Sequence, residues 1–244
     1  MCCGRYLSAI GGTILARSNA RVRPWLYALL LYADSVTGLS HNSLRRLLGL
    51  SQGAADRLAD GLRTHIALSL IARPLGGPGM RVYIDECLLR LARASERVVV
   101  LGLTDGERCV LRIIPNRKAA TLLPVIVRQV APGSTIVTDG WAGYNGVGKL
   151  GFAHSRVNHT SKLWVNHDGD STAPIEGQWT VIKRLLKGRA PFMSSANMWK
   201  FVGEAMYRYD ARFDQAAAWW RLVGAFPVLG PGVLEAARRR IDLR

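Results

Sequence analysis

Acidic residues and cysteines are the scarce components of this 244-residue chain, and each scarcity closes off a class of protein. Only 17 Asp and Glu stand against 33 Lys and Arg, a formal net charge of +16. Such an excess calls for a polyanionic partner, because basic side chains gain free energy by displacing condensed counterions from phosphates. Nucleic acid is the expected partner. The four cysteines, Cys2, Cys3, Cys87 and Cys109, contain no Cys-x-x-Cys pair. That speaks against a disulfide framework and a cysteine zinc site, and it fits a reducing compartment. Long apolar runs are missing too: Trp25 to Ala33 falls far short of the roughly 20 residues that a membrane helix needs. The run follows Arg21, Arg23 and Pro24, as in a signal peptide, but no small-residue cleavage site comes after it. A soluble intracellular protein that resides with DNA, in the nucleoid or the nucleus, is expected. No polar or single-residue tract of the disordered kind occurs, and 49% hydrophobic residues suffice for a core.

The length suits one large domain or a small module joined to a larger one. Three regions are expected: helical over 1–73, sheet-containing over 80–212, and a basic helical tail over 213–244. Residues 24–72 carry apolar residues at helical spacing with a break near Thr37 and Gly38. Within them Ser40 to Leu48, the turn Gly49-Leu50-Ser51, and Gln52 to Ile66 predict two short-linked helices with Ser40 and Ser51 as N-caps. Leu44, Leu47, Leu48, Leu50, Ala54, Ala55 and Leu58 give the pair a shared apolar angle, which is the geometry of a helix-turn-helix. Gln52, Asp56, Arg57 and Arg63 are then expected to face a DNA groove. A Gly/Pro-rich hinge, Pro74 to Gly79, follows; it lacks the Lys-Ser/Thr tail of a phosphate-binding loop.

Beyond the hinge the pattern turns to strands. Met80 to Ile84, Val98 to Leu103 and Cys109 to Ile114 are short runs rich in β-branched residues, with a hairpin signal at Asp105-Gly106. Lys118 to Val130 reads as a helix, and Thr135 to Thr138 as a buried strand that ends in Asp139-Gly140. Three meandering strands, a crossover helix and a fourth strand match the order of a ribonuclease H-like α/β fold, by analogy, with a mixed sheet flanked by helices. There the fourth strand returns beside the first. That would bring Asp85, at the end of strand one, next to Asp139.

Two carboxylates in such proximity repel unless a cation or proton lies between them, and a hard divalent ion bound through oxygens is the natural solution. A third acid is expected on a helix that starts at Thr172. Ile175, Trp179, Ile182 and Leu186 form its apolar stripe, and Glu176, Thr180, Lys183 and Lys187 form the next. Glu176 would point toward the two aspartates. Taken singly, each acid has an ordinary explanation: a turn at Asp139, a helix-dipole partner at Glu176, a solvated strand end at Asp85. His154 and His159 flank the expected fifth strand; a satisfied structural histidine is the ordinary reading of each, and a phosphate contact the sharper one for His159.

Several segments together resemble a known family. They are Leu75 to Gly79 before Tyr83-Ile84-Asp85-Glu86, Ala119 to Pro124, Ala131 to Ile136, Thr138-Asp139-Gly140-Trp141 with Tyr144, Val157-Asn158-His159, and Ile175 to Trp179 with Lys183-Arg184. They resemble the DDE transposases of the IS1595 group, which includes the IS1016 and ISXO2 types and the eukaryotic Merlin transposons. The resemblance covers roughly residues 75–210. It implies cleavage and joining of double-stranded DNA at transposon ends and target, by a homo-oligomer using Mg²⁺ or Mn²⁺. Asp85, Asp139 and Glu176 are then the catalytic metal ligands. Gln52, Arg57, Arg63, His159, Lys183, Arg184, Lys187 and Arg189 are the expected DNA contacts. The rival readings are a catalytically inactive DNA-binding descendant and a ribonuclease H-like nuclease that cuts without joining.

Overall fold

The computed structural model describes residues 11–16, 22–35, 38–70, 72–90, 97–157, 166, 169–187, 194–224, 226, 229 and 232–244. Helices α1 (Val22–Asp34), α2 (His41–Leu48) and α3 (Gln52–Leu68) come first. Ser40 and Ser51 accept from the Ser43 and Ala54 N–H groups, as N-caps should, and Gly49 makes the turn in the left-handed region at φ 61°. Then follow β1 (Arg81–Arg90), β2 (Arg97–Thr104), β3 (Cys109–Ile114), α4 (Ala119–Gln129), β4 (Thr135–Thr138) and β5 (Ala153–Arg156), with two short 3₁₀ turns before β5. Helices α5 (Ala173–Lys187), α6 (Met198–Ala211), α7 (Gln215–Gly224) and α8 (Val233–Ile241) complete the order.

The five strands form one mixed sheet in the order β3-β2-β1-β4-β5. β1, β2 and β3 pair antiparallel, β4 runs parallel to β1, and β5 runs parallel to β4. This is the ribonuclease H-like order. Helix α4 carries the chain from the β3 edge back beside β1, the crossover that a parallel neighbour requires. One face of the sheet buries Val82, Ile84, Leu101 and Ile136 against α4 and Tyr144. The other buries Cys87, Leu89, Val100 and Leu111 against α5, α6 and α8. Residues 74–79 are no hinge: the Leu75 N–H donates to Gln129 O at 2.7 Å, and Leu75 O accepts from the Ala131 N–H at 2.8 Å. That stitch holds the connection to the end of α4.

A third core lies on the far side of α6. Trp25, Tyr32, Leu44, Leu58 and Leu62 of α1 to α3 pack there with Tyr207 and Ala211 of α6 and Leu222 of α7. The N-terminal helices therefore share their core with the sheet domain's own helix. At its centre Glu204, fully buried, accepts from Arg63 Nε at 3.1 Å, Arg208 Nε at 2.8 Å and Tyr32 OH at 3.0 Å. This corrects one sequence expectation. Arg63 is only 3% exposed and does not face a groove, because the second half of α3 is buried on all sides between α1 and α6. Its guanidinium also contacts His41 Nε2 at 3.0 Å; Arg can only donate, so Nε2 accepts and Nδ1 carries the proton bonded to Asp56, 2.7 Å away.

Asp210, near the end of α6, accepts from the Cys109 N–H at 2.9 Å and so ties α6 to β3. Burial pushes its carboxyl up to about 6, against the pull of that N–H, Arg108 and Arg221 and with a small push from Asp105. The unfolded carboxyl titrates near 4, so between about pH 4 and 6 the folded chain holds a proton that the unfolded chain has lost. The group's contribution to stability falls as pH rises through that window. Asp210→Asn keeps the acceptor for Cys109. In urea unfolding across this pH range it should show a flatter decline than wild type and be the more stable form at neutral pH; parallel curves would refute the assignment.

Candidate active site

The parallel register of β1 and β4 sets the site. Tyr83 lies opposite Val137, so Asp85 and Asp139, each two residues further on, come level at the carboxyl end of β4. Asp85 is not at a strand end, as the sequence suggests. β1 runs on to Arg90 paired with β2, because Cys87, Leu89, Val98 and Val100 alternate inward beneath α5 and α6. Asp85 sits where β4 stops and the β1–β2 hairpin continues. Asp139 is fixed by its own turn: its Oδ1 accepts from the Trp141 N–H at 2.9 Å. Trp141 is held in turn, its indole donating to Arg117 O at 3.1 Å with the Arg117 guanidinium 4.3 Å over its ring.

The third acid arrives on α5. A buried Asp170 pairs with Arg81 at the start of β1, which anchors the segment leading into the helix. Thr172 O accepts from the Glu176 N–H at 3.0 Å, and the Thr172 hydroxyl donates to Glu176 Oε1 at 2.6 Å. Glu176 is exposed in the first turn, and Trp179 lies three residues on, on a neighbouring helical position. The Trp179 indole is buried and donates to Asp85 Oδ2 at 2.9 Å. This bond registers α5 against the site. It fits because β2 carries Gly102 opposite Asp85: a Cβ there would lie 2.6 Å from Trp179 Cζ2. Gly102→Ala should therefore destabilise the fold by about 1 to 3 kcal/mol through overpacking. An unchanged urea midpoint would mean that Trp179 is not wedged against β2.

Burial raises the Asp85 pKa most, and the Asp139 and Glu176 charges raise it further, while the Glu86 N–H and the Trp179 indole lower it. Asp85 thus senses both of the other acids. Their donor set is all oxygen, and the side-chain charges that act on Asp85 are the like charges of Asp139 and Glu176, so the residues suit a hard divalent ion. Among the described residues, however, no three His, Cys, Asp or Glu side chains are already gathered to hold a metal ion. Thr172 and Trp179 each occupy a carboxylate oxygen of the set.

Sequence reasoning passed over Glu86, Tyr144 and the indole of Trp179. Side chains alternate along a strand, so Glu86 points to the α4 face, opposite Asp85. There burial lifts its carboxyl to about 7, with Tyr144 and Arg117 lowering it and Asp85 and Asp139 raising it. Lys183, one turn beyond Trp179, lies beside Cys87 and lowers a thiol pKa that burial raises. Arg184, Gln52 and Arg57 are exposed. His154 is a satisfied histidine, its Nε2 2.9 Å from the Thr138 hydroxyl. His159, Arg189 and the side chain of Lys187 lie outside the described residues.

Residues 79–210 match the family model of the ISXO2-like transposase domain, more than half of the chain. The chain belongs to the ISXO2-like transposase family. The matched transposase domain runs from just before β1 to near the end of α6, so all three acids lie within it. A curated relative is an uncharacterized transposase-like protein of Haemophilus influenzae (strain ATCC 51907 / DSM 11121 / KW20 / Rd), 38% identical over 56 residues. That stretch is 23% of this chain and 46% of the relative, so less than half of the relative's length is spanned. Among solved structures, a chain from the simian T-cell lymphotropic virus intasome in complex with PP2A regulatory subunit B56 gamma overlays 75% of this transposase chain and 67% of its own. The TM-score is 0.40 and the identity 14%. Among the described residues no helix is long and apolar enough to cross a membrane.

Proposed function

We propose that the chain is a transposase that cuts and joins DNA strands at the ends of a mobile element, with Asp85, Asp139 and Glu176 as ligands of Mg²⁺ or Mn²⁺. The observation that carries this reading is the level placement of Asp85 and Asp139 on adjacent parallel strands, electrostatically coupled to Glu176 on α5. When bound there, divalent metal supplies activation of the attacking oxygen and stabilisation of the leaving oxygen in an in-line displacement at phosphorus. The protein's share is positioning. Trp179 orients Asp85, the Trp141 N–H orients Asp139, and Thr172 orients Glu176. In each transfer a water or 3′-hydroxyl oxygen bonds to phosphorus, the strand's P–O bond breaks, and the departing oxygen takes up a proton.

DNA is the partner in this reading, engaged as a homo-oligomer. Gln52 and Arg57 on the exposed start of α3 would read a groove, and Lys183, Arg184, Lys187, Arg189 and His159 would hold phosphates beside the acids. The test is strand transfer by the full chain with the element's own ends and Mg²⁺ or Mn²⁺. Joined product supports the reading. Cleavage without joining would assign a nuclease, and binding without either would assign an inactive descendant.

A further inference from the structure

Two strands away from the acids, at the β3 edge of the sheet, a cleft of about 290 Å³ opens between α4, α8 and residues 72–74. Arg73, Arg112, Arg128, Arg239 and Arg240 line it together with Gln129, and no Asp or Glu does. The sequence scatters these arginines over 168 positions, and helical and strand periodicity give no hint that they meet. Glu235, one turn before Arg239 on α8, bonds Arg239 Nε at 2.9 Å, but both side chains are largely exposed. Such a pair contributes little and leaves the cleft strongly basic.

Arg112 decides what the cleft is for. It stands on β3 between Leu111 and Ile113, both buried, and its guanidinium donates to neutral acceptors: Leu111 O at 2.8 Å, Gln129 Oε1 at 2.7 Å and, more distantly, Met206 Sδ at 4.0 Å. Burial pushes its pKa down to about 10, and the neighbouring charge of Arg240 pushes the same way. A mostly buried cation facing another cation is unfavourable unless an anion joins them. Guanidinium groups converging from several elements offer paired N–H donors to phosphate oxygens.

We propose that this five-arginine cleft is a second DNA-backbone site, separate from the acidic edge that faces α5. The inference rests on DNA being the partner of the chain, as proposed above, but not on the metal ligands. A duplex suits it because five guanidinium groups from four separate parts of the chain, with no carboxylate among the lining residues, match a run of successive phosphates, each able to take paired N–H donors.

The experiment measures binding of the full chain to a generic-sequence duplex by fluorescence anisotropy over a salt series, for wild type, Lys183→Ala, Arg128→Ala/Arg239→Ala and Arg112→Met. Arg128 and Arg239 lie at the exposed rim, so the double variant keeps the core intact. It should bind at least about tenfold more weakly at low salt and reduce the slope of log K against log salt by about 1.8, two counterion-releasing contacts. Arg112→Met should also weaken binding while its urea midpoint stays or rises, because an apolar side chain suits the buried position. If Lys183→Ala flattens the slope and the double variant does not, the cleft is overturned and DNA as partner stands. If wild type binds no duplex even at low salt, both fall. A lowered midpoint for Arg112→Met with an unchanged slope would assign Arg112 to packing and overturn its part.

Discussion

Asp85→Asn and Asp139→Asn should each bring strand cleavage and joining below detection while leaving affinity for duplex DNA essentially unchanged. A neutral amide loses the charge that holds a divalent ion. The several kcal/mol of transition-state charge stabilisation that such an ion supplies corresponds to about a thousandfold in rate or more. Binding survives because the basic groups proposed to contact DNA lie on α3, on α5 and in the five-arginine cleft. Metal should separate the proteins a second way. A ligand that prefers the folded state stabilises it by about 2.7 kcal/mol at a hundred times its dissociation constant, so Mn²⁺ should raise the melting temperature of wild type and not of the variants. Without metal Asp85→Asn should melt no earlier than wild type, since a buried carboxylate facing the like charges of Asp139 and Glu176 has gone. Equal responses of wild type and Asp85→Asn to metal, with no DNA processed by either, would leave a DNA-binding descendant and not an enzyme.

The largest effect on stability is expected at Glu204. Glu204→Ala leaves the guanidinium groups of Arg63 and Arg208 buried without their carboxylate, and it removes the acceptor of the Tyr32 hydroxyl. Breaking such a buried pair costs about 3 to 5 kcal/mol, a large share of the roughly 5 to 15 kcal/mol that holds a native domain together. The partial compensation is visible: Arg63 stacks 4.5 Å over Phe201, and Arg208 donates to Tyr32 O at 3.0 Å. Chemical denaturation measures the loss. The replacement Arg63→Met/Glu204→Leu/Arg208→Met, which removes charge and partner together, should recover most of it. If the single variant unfolds at the wild-type urea concentration, the cluster does not hold α3 to α6.

How much of this could be read from the sequence depended on whether the signal was local. Thr135 to Thr138 matches β4 residue for residue, since a short β-branched run between a Gly turn and Asp-Gly has few alternatives. The capped pair α2 and α3 was legible for the same reason: Ser40, Gly49 and Ser51 act on neighbouring backbone. The continuation of β1 past Asp85 was not, because Asp85, Glu86 and Arg90 look like an exposed end until the alternation of Cys87 and Leu89 is set against α5. Arg63 was misread because its partner lies 141 positions away, and a charge on a helix defaults to solvent when no partner is in view. In the site, the acids announced themselves by type and position. The side chains that aim them did not. Trp179 reads as one more apolar residue of a stripe, and its N–H acquires a role only once Gly102 lets the ring lie against β2.

The shared core of α1 to α3 with α6 has a consequence for measurement along DNA. α6 packs on the sheet with one side and on α3 with the other, and Glu204 clamps the second contact. The start of α3 and the carboxylates of Asp85 and Asp139 are therefore points on one stiff frame, not on two lobes joined by a tether. If α3 grips duplex as proposed, the stretch it holds is presented to the acids at a constant offset. A protein built this way is a gauge, and its setting lies in the α3–α6 contact clamped by Glu204, whereas the turn at Gly49 sets only where α2 stands against α3.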